Sequence, residues 1–375
     1  MNQTVSLTDV KAIDVSDPTI YLNDTWPAYF AKLRVEDPVH YTDNELFGGF
    51  WSVTRYEDIV AVDSNHDAFS SEPAITIGDY GDDVPVEQFI AMDSPKHDVQ
   101  RAVVQPVVAP KNLAQMEALI RSRVAEMFNA LPVGKPFDWV SHVSVNLTTQ
   151  MLATIFAFPF EDRAKLTYWS DMAAAIPEIA GGGASVEERN AAMFECLAYF
   201  TELWHARANG QSDSMDFITA FANHPDTKSM IDRPLEFLGN LLLLIVGGND
   251  TTRNSLSGGV LALNENPDQF DKLKADHSLV ESLVPEIIRW QTPLMHMRRI
   301  ATRDIELGGK QIKKGDKVVM WYVSGNRDET AIQNADKFII DRANPRQHLA
   351  LGFGIHRCMG NRLGEMILRI VWEEI

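Results

Sequence analysis

The chain has 375 residues, of which 45% are hydrophobic and 23% charged. This composition is close to that of an average globular protein and excludes disordered and collagen-like classes. The 52 acidic residues outnumber the 34 basic ones and give a formal net charge of −18, so the surface would repel a phosphate backbone and we expect no nucleic-acid partner. Two cysteines, Cys196 and Cys358, are too few for a disulfide framework.

The sequence gives no sign of a membrane segment. The opening residues are polar and lack the apolar centre of a signal peptide. The most apolar stretch, Phe237 to Gly248, is shorter than the roughly 20 residues that cross a bilayer. We therefore expect a cytoplasmic protein with no membrane span, and we expect it to be a monomer.

Short helices and a strand are predicted near the start of the chain. Apolar spacing favours helices from Asp24 to Arg34 and from Tyr56 to Ser64, with a strand at Phe50 to Thr54 between them. The segment from Ser71 to Ala91 contains two glycines, two prolines and three aspartates, and it is typical of a long ordered loop. Loops of this length in compact domains are usually functional.

The middle of the chain has helical periodicity. Gly181-Gly182-Gly183 interrupts it and is interpreted either as a flexible connector or as the hinge of a lid over a cavity. Four helices are predicted here, at Lys111–Ala130, Ser141–Phe156, Glu161–Ile176 and Ser185–Ala208.

A much longer helix is predicted next, capped by Asp232, with Pro234 in its first turn, and ending near Asn264. At about 1.5 Å per residue it would be about 50 Å long. Two further helices are predicted within Pro267 to Trp290. Short alternating segments from Leu294 to Val323 indicate small sheets.

The strongest chemical signal is a glycine-rich loop around the second cysteine, Leu351-Gly352-Phe353-Gly354-Ile355-His356-Arg357-Cys358-Met359-Gly360. Its glycines allow sharp turns and a close approach of the backbone to a flat partner. Cys358 comes just before a last helix, predicted to begin near Met359, whose free N–H groups and dipole favour a thiolate. A thiolate there can be an axial haem ligand. The alternative is a buried cysteine in a glycine-rich turn.

This loop resembles the cysteine-ligand loop of the cytochrome P450 family, which has the pattern Phe-Gly-x-Gly-x-His/Arg-x-Cys-x-Gly. Leu351 departs from it, because the family usually has Phe at that position. The resemblance extends from about Asp24 to the last residue. The matching positions are Gly352, Gly354, His356, Cys358 and Gly360.

The resemblance implies a single domain over residues 1–375, mainly α with small β-sheets (α+β), in the family's triangular fold with the long helix over the haem. Cys358 would be the ligand of the iron of haem b, and Phe353, Gly354 and Gly360 would surround the cofactor in the same loop. Family members continue for several tens of residues beyond the position of Ile375, so we expect this domain to be incomplete at its C-terminus, with a last helix that frays.

The long helix contains Gly247-Gly248-Asn249-Asp250-Thr251-Thr252, and each glycine costs about 1 kcal/mol relative to alanine inside a helix. One explanation is close helix packing, with a threonine bonded back to a carbonyl. The family resemblance implies instead an oxygen-binding groove, where Gly247 and Gly248 leave room for dioxygen and water. Asp250 and Thr251 would then be the catalytic pair that delivers protons.

The two haem propionates need cationic partners. His97 and Arg101 are four residues apart on a predicted helix and can reach the same group. They match the His-x-x-x-Arg element of the family, while Arg299 and His356 match further propionate contacts. A solvated surface position is the usual alternative for a lone His or Arg.

Glu286 and Arg289 lie on one face of a predicted helix about 70 residues before Cys358. Alone, this Glu-x-x-Arg pattern is weak and would usually be a solvated surface pair. In the family it joins an arginine of the following irregular segment, best matched by Arg342. The expected role of these three residues is structural.

The substrate cavity is expected to have apolar and flexible walls, which suit a hydrocarbon chain. Without the family, such residues are more often ordinary core. The long loop is expected to add a wall, with Ile75, Ile77 and Phe89 as candidates. By family position, the substrate-binding residues are Leu243, Val246, Leu294, Met295 and Met297.

Within the family, residues 241–255 and 293–299 are most similar to the bacterial soluble terminal (omega) hydroxylases of alkanes and fatty acids. We therefore expect insertion of one oxygen atom of O2 into the terminal C–H bond of a medium-chain alkane or fatty acid. NAD(P)H would supply electrons through a ferredoxin reductase and a ferredoxin, because the sequence has no flavin or iron–sulfur motif. The alternatives are a hydroxylase of terpenes or other small lipophiles, and a non-catalytic haem sensor.

Overall fold

The structure is a computed structural model that describes residues 9–79, 84–175, 184–208 and 214–375. The glycine triplet at 181–183, with the hinge interpreted there, and residues 80–83 of the long loop lie outside the described residues. Within them the chain is mainly helical with two small sheets, which confirms the predicted fold class. No helix in this part of the chain is both long and apolar enough to span a bilayer.

The secondary structure comprises α-helices, strands and several short 3-10 turns. The strands are β1 (Val39–Thr42), β2 (Phe50–Val53), β3 (Phe69–Ser70), β4 (Met297–Ala301), β5 (Ile305–Leu307), β6 (Lys310–Ile312) and β7 (Lys317–Met320). The α-helices are α1 (Thr19–Leu22), α2 (Trp26–Glu36), α3 (Tyr56–Ser64), α4 (Lys96–Val104), α5 (Pro110–Asn129), α6 (Asn146–Ile155), α7 (Ala164–Ala174), α8 (Val186–Arg207), α9 (Phe217–Asn223), α10 (Pro234–Glu265), α11 (Pro267–Ala275), α12 (Val280–Gln291), α13 (Tyr322–Gly325) and α14 (Asn361–Glu374).

Most predicted helices are present, with corrections at their ends. Asp232 is not the cap of the long helix, because it belongs to a 3-10 turn and the cap position falls on Arg233, whose side chain makes no capping bond. The helix predicted from Ser141 to Phe156 begins with a π-helical turn at Val140–Val145 before α6. The last helix begins at Asn361, two residues after the predicted start near Met359.

One compact unit comprises Met1–Tyr80 and Ile288–Cys358. Its five-stranded sheet has the order β1-β2-β7-β4-β3, and β2 pairs with β7 in parallel, with Trp51 opposite Val318. Strands β5 and β6 form a separate hairpin. A hydrophobic core that includes Phe30, Phe50 and Trp321 supports the sheet.

The other unit comprises Gly81–Ile287 and Met359–Ile375 and is helical. Helix α10 packs against α6, α7, α8, α11 and α14, which explains why its sequence is apolar over most of its length. Helix α14 buries its apolar face and packs on α5, where Arg121 binds Glu373 and Glu374 and Arg369 binds Glu117.

Candidate active site

The predicted site residues divide between the two units. Cys358, Arg299 and His356 belong to the first unit, together with Met297 of β4 and the preceding Leu294 and Met295, which are predicted substrate contacts. The second unit contains the glycine and proton-relay positions of α10, and α4 with His97 and Arg101.

The cysteine loop has the conformation that its glycines predict. Gly352 and Gly354 both have φ of +65°, a conformation that other residues rarely adopt. The Cys358 N–H donates to the Leu351 carbonyl at 2.8 Å, which closes the loop on itself. Cys358 is exposed, in contrast to Cys196, so the buried-turn alternative does not describe it. Burial raises the pKa of the Cys196 thiol well above its ordinary value.

The end of helix α3 contacts this loop through Asp63. The Phe353 N–H donates to Asp63 Oδ2 at 2.8 Å. A Cβ on Gly354 would lie 2.5 Å from the Asp63 carbonyl oxygen, so the two backbones approach too closely for a side chain. The same carboxylate accepts from Arg299 Nη2 at 2.7 Å and from the Tyr322 hydroxyl at 2.8 Å.

Asp63 and Tyr322 were missed by the sequence reasoning. The sequence does mark Asp63, because it falls on the apolar face of α3 with Tyr56, Ile59 and Val62. An aspartate on such a face is rarely buried unless it has a partner. No local pattern marks Tyr322. Burial, and secondarily Asp63, raise the pKa of the Tyr322 hydroxyl well above its ordinary value, so this group remains a proton donor.

His356 and Arg299 are both buried. His356 ends the short 3-10 turn of the cysteine loop. Arg299 Nη1 donates to the Arg298 carbonyl at 2.8 Å, and Nη2 is bonded to Asp63 as described above. The Arg299 guanidinium is therefore held in a fixed orientation beside the cysteine loop.

In the middle of α10, between Leu241 and Thr252, one face is less covered by protein than the other. Leu243, Val246, Gly247, Asp250 and Thr251 are half-buried or exposed, whereas the apolar residues between Leu243 and Val246 are buried. The spacing of i, i+3, i+4, i+7 and i+8 places all five on one side of the helix. A Cβ on Gly247 would meet no heavy atom within 4 Å.

Gly247 and Gly248 of the long helix differ in their surroundings. A Cβ on Gly248 would lie 2.9 Å from Leu152 of α6, which is close helix packing. The Thr251 hydroxyl donates to the Gly247 carbonyl at 2.8 Å, as the back-bonding alternative predicts. Gly247 differs from its neighbour, because open space and not a packed helix lies beside it.

The environment of Asp250 contains one cation and a second acid. Arg253 Nη2 donates to Asp250 Oδ1 at 2.6 Å, and Arg253 Nη1 donates to Asp171 Oδ1 of α7 at 3.0 Å. Burial raises the pKa of Asp250; the Arg253 charge opposes this rise and the Asp171 charge adds to it. The sequence reasoning missed Arg253 and Asp171, although the i,i+3 spacing of Asp250 and Arg253 is visible in the chain.

Helix α4 is attached to α10 by buried polar side chains. Gln100 Nε2 donates to Glu236 Oε1 at 2.7 Å, and Gln100 Oε1 accepts from Asn240 Nδ2 at 2.8 Å. These bonds fix the helix that carries His97 and Arg101. His97 is buried; burial lowers its pKa, although the Asp98 carboxylate 2.7 Å from Nδ1 acts in the opposite direction.

Arg289 and Arg342 meet at one carbonyl. Arg289 Nη2 and Arg342 Nη2 donate to the Lys337 oxygen at 2.8 and 2.7 Å. Arg289 Nη1 also binds the Asn326 and Ala335 carbonyls. Glu286 and Arg289 are fully buried, so the alternative of a solvated surface pair is wrong.

Some of the predicted substrate contacts in residues 294–297 pack into the core of the first unit. Met295 packs against the hydrophobic core that contains Ile77, and the contact of both side chains with substrate stays a prediction. Leu294 is half-buried and Met297 is buried. Phe89 is also buried, in the other unit.

Arg298 holds the first part of the long loop against β4. Its N–H donates to the Ile75 carbonyl at 2.7 Å, and its Nη1 donates to Asp79 Oδ1 at 2.7 Å. The described residues between Ser71 and Gln88 form no helix or strand, in line with the predicted loop. Lys317 of β7 also donates to the Ile77 carbonyl, at 3.1 Å.

The residues present fit a haem. The thiol of Cys358 is exposed on its loop, and a Cβ on Gly360, two residues on, would meet no heavy atom within 4 Å. A single thiolate on a glycine-rich loop is a suitable donor for a haem iron. The predicted propionate partners are His97, Arg101, Arg299 and His356.

Comparison with known proteins supports the same conclusion. The sequence model of the cytochrome P450 family matches residues 185–375. The chain is 34% identical to linalool 8-monooxygenase of Pseudomonas putida, over 96% of this chain and 90% of that protein. It is 33% identical to a methyl-branched lipid omega-hydroxylase of Mycobacterium bovis, over 94% and 84% of the two chains.

Among solved structures, CYP153D17 from a Sphingomonas species is 49% identical. The match covers 96% of this chain and 90% of that chain, with a TM-score of 0.90. The chain therefore belongs to the cytochrome P450 family, as a haem-dependent monooxygenase that uses dioxygen and electrons supplied from NAD(P)H through redox partners.

Proposed function

We propose that this monooxygenase hydroxylates medium-chain alkanes or fatty acids at the terminal carbon. The less covered face of α10 carries the proposal. It places two apolar side chains (Leu243 and Val246), the space beside Gly247, and the Asp250–Thr251 pair in sequence along one side of a helix. Such a face suits an apolar chain whose end is held next to a proton-delivering pair.

Cys358 is proposed as the ligand of the iron, with His97, Arg101, Arg299 and His356 as propionate partners. When bound, the haem supplies activation of dioxygen. The chain supplies protons: Asp250 is half-buried, and its raised pKa brings it closer to the neutral range in which a general acid is effective. Thr251 Oγ1 holds a proton that it now donates to the Gly247 carbonyl, one turn away.

Terminal selectivity requires geometry, because a primary C–H bond is stronger than the secondary bonds next to it. The protein must present only the end of the chain to the reactive centre. The resemblance to omega-hydroxylases and the apolar residues Leu243 and Val246 support this proposal. We propose a ferredoxin and its reductase as electron donors, and a monomeric state for the enzyme.

The test is the regiochemistry of the products. The haem-loaded enzyme is combined with a ferredoxin, its reductase and NADH, and is given decane, dodecanoic acid or linalool. We expect primary alcohols and the ω-hydroxy acid, identified by gas chromatography and mass spectrometry. Products oxidised only at internal carbons would contradict terminal hydroxylation.

A matched pair of variants tests the assigned face of α10. Val246→Phe should shift the ratio of terminal to internal products about fivefold or more, since it changes the space beside Gly247. Leu261→Phe on the same helix is the control, because Leu261 is 58% exposed and lies ten residues beyond Thr251, about 15 Å farther along the helix axis. Equal product ratios in the two variants would show that the face does not contact substrate.

Hydroxylation of a small terpene is the second candidate, favoured by the 34% identity to linalool 8-monooxygenase. The same assay distinguishes the two candidates by the kcat/KM for each substrate. Turnover of linalool with a kcat/KM at least tenfold above those for decane and dodecanoic acid would favour the terpene.

A further inference from the structure

A buried carboxylate beside the cysteine loop has no part in the function proposed above. Asp63 is 3% exposed and lies one residue from the end of α3. It accepts three hydrogen bonds: from Arg299 Nη2 at 2.7 Å, from the Tyr322 hydroxyl at 2.8 Å, and from the Phe353 N–H at 2.8 Å. All four residues belong to the unit that contains Cys358.

The first consequence of these bonds concerns the position of the loop. The Phe353 N–H comes five residues before Cys358 and is bonded to a charged acceptor, and such bonds are roughly twice as strong as neutral ones. The Phe353 ring also contacts Tyr56 at the other end of α3, with ring centroids 6.4 Å apart. The close backbone approach of Gly354 to Asp63 completes the contact between helix and loop.

The second consequence concerns charge. The Arg299 side chain is 2% exposed and would be costly as an isolated cation in a low-dielectric interior. Asp63 is its ion-pair partner at 2.7 Å, and the partner's own side chain is also 2% exposed. The positive field of Arg299 is therefore largely cancelled while Asp63 carries its negative charge.

We propose that Asp63 is a positioning residue for the haem: it anchors the cysteine loop through Phe353 and, by compensating Arg299, holds the reduction potential of the iron low. The proposal rests on the proposed role of Cys358 as the iron ligand. It assigns no contact between Asp63 and the haem. Asp63 acts through the loop and through Arg299.

The sign of the effect follows from electrostatics. Asp63→Asn keeps the shape of the side chain but removes its charge, so the Arg299 cation is no longer compensated. A positive field would stabilise ferrous iron relative to ferric iron, so the reduction potential of the haem should rise. We expect the equilibrium constant for reduction to increase about tenfold, an order-of-magnitude value for one buried charge, which is 59 mV for a one-electron couple.

The experiment is a spectroelectrochemical titration of the haem-loaded enzyme and its variants. Glu57→Gln is the matched control, since Glu57 is an exposed acid on the same helix and its loss removes the same net charge. Tyr322→Phe removes one donor to Asp63 without changing any charge. Deuterium uptake by the peptide that spans residues 349–358 is measured in each protein as a report on the loop.

Supporting outcomes are a raised potential in Asp63→Asn with no shift in Glu57→Gln, and faster deuterium uptake in Asp63→Asn and Tyr322→Phe. An unchanged potential with unchanged uptake in Asp63→Asn would overturn the proposal, as would equal shifts in both acid variants. If Asp63→Asn does not fold, Tyr322→Phe decides: faster uptake in the loop peptide supports the anchor, and unchanged uptake overturns it.

The wild-type enzyme separates this proposal from the one on which it rests. Its reduced, carbon-monoxide-treated difference spectrum reports whether sulfur ligates the iron. A spectrum typical of imidazole ligation would reject Cys358 as the ligand, whatever Asp63 does. A thiolate spectrum together with an unresponsive Asp63→Asn variant would reject only the role of Asp63.

Discussion

At the scale of single residues, the proton-delivering pair depends on neighbours that modulate one carboxyl group. Asp250 is half-buried, and burial raises its pKa. Arg253 and Asp171 act on that pKa in opposite directions because they carry opposite charges. Arg253 bonds to both acids, so the three side chains form one electrostatic unit on α7 and α10.

Opposite shifts of the pH profile are therefore expected from two single variants. Arg253→Ala removes a cation and should raise the pKa of Asp250, which moves the descending, alkaline limb of the kcat profile to higher pH. Asp171→Asn removes a like charge and should move that limb to lower pH. The measurement is product formation against pH at saturating substrate, and shifts in the same direction would contradict the assigned relay.

At the scale of elements, the attachment of α4 to α10 decides where His97 and Arg101 lie. Glu236 is 3% exposed and binds Gln100, Arg233 and Lys96. Burial alone would raise the pKa of Glu236, but the hydrogen bonds and charges of Arg233 and Lys96 outweigh burial and hold it below its ordinary value. A buried acid with several partners is costly to disturb.

Glu236→Gln should lower the free energy of unfolding at pH 7 by about 1–3 kcal/mol and weaken haem retention, because α4 loses part of its attachment. Glu87→Gln is the control: Glu87 also binds Lys96, but it is 61% exposed, so about 0.5 kcal/mol or less is expected. Urea denaturation measures both variants.

The lowered pKa of Glu236 also determines how the difference in the free energy of unfolding between wild type and Glu236→Gln changes with pH. A carboxyl whose pKa is lower in the folded state stabilises the fold above its unfolded pKa, and this contribution disappears as the pH falls through the folded pKa. The stability difference should therefore shrink below about pH 4.5. A difference that stays constant from pH 7 to pH 4 would contradict the assignment of this charge.

Element boundaries show how far local sequence signals reach. The helix Tyr56–Ser64 was predicted with both ends correct, because apolar periodicity and the flanking strand define it locally. The long helix was predicted to within a residue or so at its end, yet its cap was wrong, since a 3-10 turn takes up Asp232. Neither apolar periodicity nor a capping residue indicates the π-helical turn before α6.

At the scale of the whole molecule, stability should depend on a buried histidine. His348 is 6% exposed, and its Nδ1 has no hydrogen-bond partner in the described part of the chain. Burial lowers its pKa to about 4, and the charges of Arg289, Arg357 and Arg346 act in the same direction. The unfolded chain binds a proton on this side chain at a higher pH than the folded protein does.

The free energy of unfolding should therefore fall as the pH is lowered from about 6.5 to about 4, with His348 contributing roughly 1–3 kcal/mol of this loss. His348→Gln should flatten the slope in that window. The exposed residue His66 provides the control, and His66→Gln should leave the slope as in wild type. Thermal melting in buffers across this range measures all three proteins, and identical slopes would contradict the prediction.

The sequence by itself determined the family, the loop that carries Cys358, and the helix that carries Asp250 and Thr251, because residue spacing within a short stretch encodes these features. Only the tertiary structure decided that Asp63 pairs with Arg299, 236 residues away, and that Gln100 pairs with Glu236. Buried polar partners come together through the packing of distant elements. No periodicity along one segment specifies which acid meets which donor, so these contacts become visible only when the chain is folded.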